Sequence, residues 1–177
     1  MSPIEKNKML VVLGPGRLGI LIIFAASLKG IKTIAISRSK AKRNRALEFG
    51  AQHAFSPEIA IEEINKLTEG LGSDFVVDTT GNPDGITQAF KLVRPQGTIA
   101  CKTTCGLPAS GIDMTQLVVD EIMLQGSRCG SFKPALKIIQ TYQEKLKSLI
   151  TSTRPLEETQ TALESASKEN KIILTIK

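Results

Sequence analysis

Residues 10–19 read LVVLGPGRLG, an apolar strand-length run that enters Gly14, Gly16 and Gly19 and then a second apolar stretch, Ile20 to Leu28. Gly14 permits a tight turn, Gly16 lets backbone come close to a ligand without a Cβ in the way, and Gly19 lets the helix lie close on the strand. Arg17 and Leu18 complete the turn. The helix that follows turns its free N–H groups and positive dipole end toward whatever anion sits there. Glycine turns are common, so GxGxxG alone is a weak signal and an ordinary turn is the plain alternative. The continuous strand before it and the apolar helix after it favour a site for the pyrophosphate of a dinucleotide.

At 177 residues the chain has the length of one compact domain. A chain of that size buries roughly 70% of the surface it exposes when unfolded, and the expectation is a single dinucleotide-binding domain over residues 1–177. The apolar stretch from Leu10 to Leu28 is broken by Gly14, Pro15, Gly16, Arg17 and Gly19 and falls short of a membrane span. No cleavage-site pattern of a secretory signal follows it. Three cysteines, Cys101, Cys105 and Cys129, form neither a CxxC pair nor an even framework, which points to a reducing cytoplasm.

A formal charge of +6 permits nucleic-acid binding, but its distribution argues against it. The dense cluster Arg38, Lys40, Lys42, Arg43 and Arg45 follows one strand, and one Tyr with no Trp leaves little for base stacking. The outer members read as a solvated helix face. The inner ones have a sharper use.

Strand-length apolar runs alternate with helical segments along the whole chain. The predicted strands are Met9–Leu13, Lys32–Ser37, His53–Phe55, Phe75–Asp78, Gly97–Lys102 and Glu121–Gly126. Helices are predicted over about Ala41–Glu48, Ile59–Leu67, Asp84–Leu92, Met114–Val119 and Pro134–Lys147. Such alternation implies an α/β fold, a doubly wound parallel sheet between two helical layers, with strand order 3-2-1-4-5-6 and the ligand at the strands' carboxyl ends.

The end of the second strand addresses which dinucleotide. An NAD site places an acid there, about 20 residues past the glycine turn, to accept from the ribose 2′-OH. Here the residues are Ser37, Arg38 and Ser39, with Lys42 close behind. The serines can donate to a 2′-phosphate and the Arg38 fork can hold it, so NADP is expected over NAD, which stays the alternative. The plain reading of Arg38 is a cover for the adenine face of either cofactor.

These segments together resemble the coenzyme-binding domain of the medium-chain dehydrogenase/reductase superfamily, in its zinc-type alcohol dehydrogenase-like branch. The resemblance runs from Met9 to Lys177 and rests on GPGRLG, ALEFGA at 46–51, DFVVDTTG at 74–81, VRPQGTI at 93–99, GSRCGSF at 126–132, RPLEE at 154–158 and KIILTI at 171–176. It implies that Thr79, Thr80 and Gly81 lie near the bound ribose and nicotinamide, and that Lys102, Thr103 and Thr104 serve the nicotinamide end. Backbone at Ser127, Arg128 and Cys129 would pair with the carboxamide, and Lys171 would stand near the pyrophosphate. Thr79 and Thr80 have a plainer use in satisfying strand-end backbone, and Lys171 as a solvated flank.

The resemblance also implies a metal-bearing, largely β catalytic domain that would precede Met9. No such ligand set is recognisable here: His53 is the single histidine, and the cysteines are not spaced for zinc. No catalytic residue is assigned, and Tyr142 reads as packing. Two explanations stay open, a piece of an NADP-dependent dehydrogenase acting on an alcohol and its aldehyde or ketone, or a stand-alone nucleotide-binding or sensing module. Zinc is expected only in the other domain. A homodimer through the edge of the sixth strand is the expected assembly.

Overall fold

The computed structural model describes residues 4, 7–104, 106–109, 111–166 and 169–176, which fall into two compact units, residues 1–128 and 129–177. In the first unit the strands are β1 (Met9–Leu13), β2 (Lys32–Ile36), β3 (His53–Phe55), β4 (Ser73–Asp78), β5 (Val93–Cys101) and β6 (Met123–Gly126). They form one parallel sheet in the order β3-β2-β1-β4-β5-β6, as the alternation predicts. Between them run α1 (Arg17–Ser27), α2 (Lys40–Glu48), α3 (Pro57–Leu67), α4 (Asp84–Phe90) and α5 (Met114–Val119).

The central strand explains why the sheet is parallel and covered on both faces. Leu10, Val11, Val12 and Leu13 are essentially inaccessible on either side, and strands buried on both faces read as continuous apolar runs. On one face Ile34, Ile36, Val76 and Ile99 pack with Ala60 and Ile64 of α3 and with Ile86, Ala89 and Phe90 of α4. On the other, Ile20, Ile23 and Phe24 of α1 are buried, and Phe24 meets Phe49 edge to face at 5.7 Å. Each fully buried Leu or Ile contributes roughly 1.5–3 kcal/mol.

Several boundaries differ from the sequence reading for local reasons. Helix α1 begins at Arg17 rather than Ile20, with Gly16 at its N-cap. Helix α2 begins at Lys40, capped by the Ser39 hydroxyl, which accepts from the Lys42 N–H at 3.4 Å. Strand β6 begins at Met123 rather than Glu121, because Glu121 takes a left-handed φ of 50° that no strand accommodates. Strand β5 starts earlier than Gly97, at Val93, and its pairing with β4 shifts register between Ser73 and Phe75.

The second unit holds α6 (Phe132–Thr141), α7 (Gln143–Lys147), β7 (Ser152–Pro155), α8 (Thr159–Ser165) and β8 (Ile172–Thr175). The single helix predicted over Pro134–Lys147 is two helices, divided where Tyr142 leaves helical geometry at φ −119°, ψ 34°. Residues 154–158, the RPLEE segment, are the end of β7 followed by a single 3-10 turn, Leu156–Glu158. Strands β7 and β8 pair in parallel. Glu169 fastens the start of β7, accepting from Ser152 Oγ at 2.6 Å, Thr151 Oγ1 at 3.1 Å and Arg154 Nη2 at 2.6 Å. No helix among the described residues is long and apolar enough to cross a membrane.

Candidate functional site

Strand register aligns the carboxyl ends in a row. Ile36 pairs with Leu13, Leu13 with Asp78, Asp78 with Cys101, and Cys101 with Gly126. The ladder then continues one residue further. Gly14 N donates to Ile36 O at 3.0 Å, Thr79 N to Leu13 O at 3.0 Å, Lys102 N to Asp78 O at 3.1 Å and Ser127 N to Cys101 O at 3.1 Å. Ser37 N donates to Phe55 O at 3.1 Å on the β3 side. Ser37, Gly14, Thr79, Lys102 and Ser127 therefore form one line across the sheet, all five of them residues singled out from sequence.

The glycine turn fits close backbone approach. Gly14 has φ +79°, and a Cβ there would lie 3.0 Å from Thr80 Cα. A Cβ on Gly19 would lie 2.5 Å from the Gly14 carbonyl oxygen and 2.8 Å from Thr79 Oγ1, so the first turn of α1 seats on the strand only without a side chain. The space a Cβ on Gly16 would fill is open, its nearest neighbour being Gly14 O at 4.0 Å. Arg17 and Leu18 are exposed in the first turn of α1.

Beside this turn lies a cleft of about 410 Å³. Ser37, Arg38, Ser39 and Lys42 line it together with Gly14 and Thr80. Ser37 Oγ accepts from Ser39 N at 3.2 Å and Ser39 Oγ accepts from Lys42 N, which leaves each hydroxyl proton able to donate outward. Arg43 Nη1 donates to the carbonyls of Ser37 at 2.6 Å and Arg38 at 2.9 Å and so fixes the loop that carries them. Asp84, at the start of α4, also lines the cleft. Glu58 has its carboxyl held below the ordinary range, first by the Ser56 hydroxyl and its own backbone N–H and then by Arg43 and Arg38.

The remaining predicted positions divide by what their side chains do. Thr79 Oγ1 lies 2.8 Å from Leu13 O and 2.7 Å from Gly14 O, so its hydroxyl ties β4 to the turn. Thr80 donates through both N and Oγ1 to Asp78 Oδ1, at 2.9 and 2.7 Å. Gly81 N donates to Thr103 Oγ1 at 3.0 Å, and Lys102 Nζ to Ser127 Oγ at 2.9 Å. Thr103 and Thr104 line a second cavity of about 180 Å³ with Asp78 and Cys101. Burial pushes the Cys101 thiol up, and the neighbouring Asp78 charge adds to that. Cys129, which is exposed, and Lys171, whose carbonyl accepts from Thr151 N at 2.8 Å, belong to the second unit.

The model of the zinc-binding dehydrogenase family matches residues 18–150. The chain belongs to that family. A sorbitol dehydrogenase of Halalkalibacterium halodurans is 28% identical over 157 residues, covering 85% of this chain and 46% of that protein. The D-arabinose 1-dehydrogenase (NADP(+)) of Saccharolobus solfataricus is 31% identical over 145 residues, covering 80% of this chain and 41% of that one. An alcohol dehydrogenase of Thermotoga maritima superposes with a TM-score of 0.86 at 26% identity, over 97% of this chain and 50% of that one. The chain thus spans about half the length of the relatives it matches, and its fold is that of their Rossmann-like NAD(P)-binding domain.

The family name raises zinc, and the residues of this dehydrogenase domain do not fit it. Among the described residues no three His, Cys, Asp or Glu side chains gather into a group able to hold a metal ion. His53 is exposed on β3 with its ring stacked on Phe55 at 5.8 Å, and Cys105 lies outside the described residues. The dinucleotide fits better, because the open space over Gly16 and the cationic cleft beside it match an anionic, extended ligand.

Two contributors escaped the sequence reading. Asp78, buried at the end of β4, organises Thr80; an acid closing an apolar strand in DFVVDTT was the available sign. Arg43 was visible only as one more charge in a basic cluster, since nothing local tells that its guanidinium folds back onto the β2 end.

Proposed function

We propose that this chain is the NADP(H)-binding part of an alcohol dehydrogenase-like oxidoreductase, which in its longer parent exchanges hydride between nicotinamide and an alcohol paired with its aldehyde or ketone. The observation that carries the choice of NADP is the end of β2. Arg38 and Lys42 supply positive charge, Ser37 and Ser39 keep hydroxyl protons to give, and no acid occupies the strand end. A charge-assisted hydrogen bond contributes about 1.5–3 kcal/mol net, enough for roughly tenfold or more in preference. The NADP(+) in the name of the S. solfataricus relative supports the same choice.

The bound cofactor would supply the hydride chemistry, and the residues of this chain bind and orient it. Gly14, Gly16 and Gly19 with the α1 N-terminus receive the pyrophosphate, while Arg43 holds the loop that reads the ribose. Thr79, Thr80 and Gly81 shape the centre of the row. Lys102, Thr103, Thr104 and Ser127 serve the nicotinamide half. Activation of the substrate oxygen belongs to a domain outside this chain, a reading supported by the lack of a metal-holding group among the described residues.

The parent works in the cytoplasm as a homodimer, joined along β6. That strand pairs only with β5 among the described residues and exposes Met123 and Leu124. An uncovered edge of this kind invites pairing with a second copy.

Titration with NADPH and NADH, followed by the fluorescence of the reduced ring, tests the cofactor assignment. Tighter NADPH binding is expected, and equal affinities would overturn it. Hydride transfer from an alcohol by this chain alone, after chelation of metals, would contradict the placement of catalysis elsewhere.

A further inference from the structure

We infer that Lys102 biases the site toward the reduced cofactor by setting a fixed positive charge on the nicotinamide half. The inference rests on the dinucleotide reading above and assigns one of its residues a role in choosing which redox state is held.

A dinucleotide lies across the carboxyl ends of a doubly wound sheet with one nucleotide on each side of the switch point, and its ribose 2′ position is read at the end of the second strand. Ser37 marks that end of the row. Three strands along stands Lys102, a separation of about 14 Å at the usual strand spacing, which puts it on the half left to the nicotinamide.

In the line Ser37, Gly14, Thr79, Lys102, Ser127, only Lys102 carries a charge. It is half-buried and held at two points. Its backbone N–H is fixed to Asp78 O at 3.1 Å, and its ammonium donates to Ser127 Oγ at 2.9 Å. Ser127 is itself anchored through its N–H to Cys101 O. The ammonium is therefore tethered across the ends of β5 and β6, with two N–H bonds still to give.

The carboxylate of Asp78 does not cancel this charge in place. Asp78 and Cys101 line the cavity on the α4 side, and a Cβ on Gly85 of α4 would lie 2.5 Å from Asp78 Oδ2. Alternation along β5 sends Lys102 to the opposite face. Oxidised nicotinamide carries a positive ring and reduced nicotinamide a neutral one. A tethered ammonium on the same half raises the energy of the oxidised complex through charge repulsion and leaves the reduced complex unaffected. With the oxidised complex raised and the reduced one unaffected, the bound cofactor becomes the better hydride acceptor, so the bias favours oxidation of the alcohol over reduction of the carbonyl partner on the protein.

The test compares dissociation constants of NADPH and NADP+ for the full chain and three variants by calorimetry, at low and at moderate salt. Lys102→Met is expected to narrow the preference for NADPH by roughly threefold to tenfold, mainly by tightening NADP+. For a two-electron couple tenfold corresponds to about 30 mV in the potential of the bound cofactor. Lys102→Arg should keep the preference, and Ser127→Ala, which frees the ammonium, should reduce it in part. Salt should shrink the preference in the unaltered chain and leave Lys102→Met unchanged.

A Lys102→Met protein with unaltered melting temperature and an unaltered NADPH-to-NADP+ ratio overturns the inference while leaving the dinucleotide reading intact. Failure of the unaltered chain to bind either cofactor removes both. Loss of the preference in Lys102→Arg as well would assign the effect to side-chain shape instead of charge, and would also overturn it.

Discussion

The Thr79 hydroxyl oxygen lies 2.7 Å from the carbonyl oxygen of Gly14, and a Cβ on Gly19 would intrude to 2.8 Å from that same hydroxyl. The end of β4, the glycine turn and the first turn of α1 are thus one packed unit. Gly19→Ala should overpack it, at a cost of about 1–3 kcal/mol. For a chain of this size each kcal/mol moves the melting temperature by roughly 2–4 °C. Thr79→Val, which removes one hydrogen bond, should cost about 1 kcal/mol. Thermal melting of both variants checks the order. A Gly19→Ala protein as stable as the parent chain, with unchanged NADPH binding, would show that the close approach has no consequence.

Arg38→Ala should weaken NADPH by roughly tenfold and NADH by much less, because the guanidinium is assigned to a phosphate that NADH lacks. Parallel titrations of the two cofactors decide it. A uniform loss would assign Arg38 to covering the adenine face. Arg43→Met should also weaken NADPH, although Arg43 acts only through the carbonyls of Ser37 and Arg38.

The exposed edge of β6 carries the assembly prediction. Sedimentation should report a dimer for the parent chain and a monomer for Met123→Lys, since a lysine on an edge strand opposes strand pairing. Met123 is 60% exposed, so the change should leave the stability of the monomer within about 0.5 kcal/mol of its starting value. A dimer indifferent to the substitution would place the interface elsewhere.

Asp74 supplies a pH dependence. Burial raises its pKa, but the Met9 N–H at 2.8 Å, the Arg94 guanidinium at 2.8 Å and Lys8 outweigh burial and hold it below the ordinary 3.8. A carboxyl depressed in the folded state stabilises the fold above its unfolded pKa, and that contribution is lost as pH falls through the folded value. Asp74→Asn should therefore lower the melting temperature at neutral pH, and the gap to the parent chain should close below about pH 4. Melting curves across pH check the sign; a gap that widens in acid would contradict it.

Much of this site was legible in one dimension. The order GPGRLG, strand, basic cluster predicted the turn and the ligand class, because glycine requirements and strand periodicity are local. The line formed by Ser37, Gly14, Thr79, Lys102 and Ser127 was less visible. Each residue was picked out on its own segment, but their alignment depends on register between strands far apart in sequence. Arg43 stayed hidden for a different reason: its partners Ser37 and Arg38 are only six and five positions away, but no residue type marks a side chain that folds back over the strand end, and no glycine or proline marks the break at Tyr142.

The sequence by itself determined the parallel sheet, its strand order and the glycine turn, since alternating apolar runs and right-handed crossovers leave few other arrangements. The tertiary structure decided what those residues do to one another. It turned the Thr79 hydroxyl inward onto the turn, bound Lys102 to Ser127, and directed Arg43 onto the β2 end. It also made residues 152–155 a strand, because β8 was there to pair with them. The hydrogen bonds of the Thr79 hydroxyl and of the Lys102 ammonium join residues 25 to 66 positions apart, are set by how the strands meet, and are encoded by no local preference.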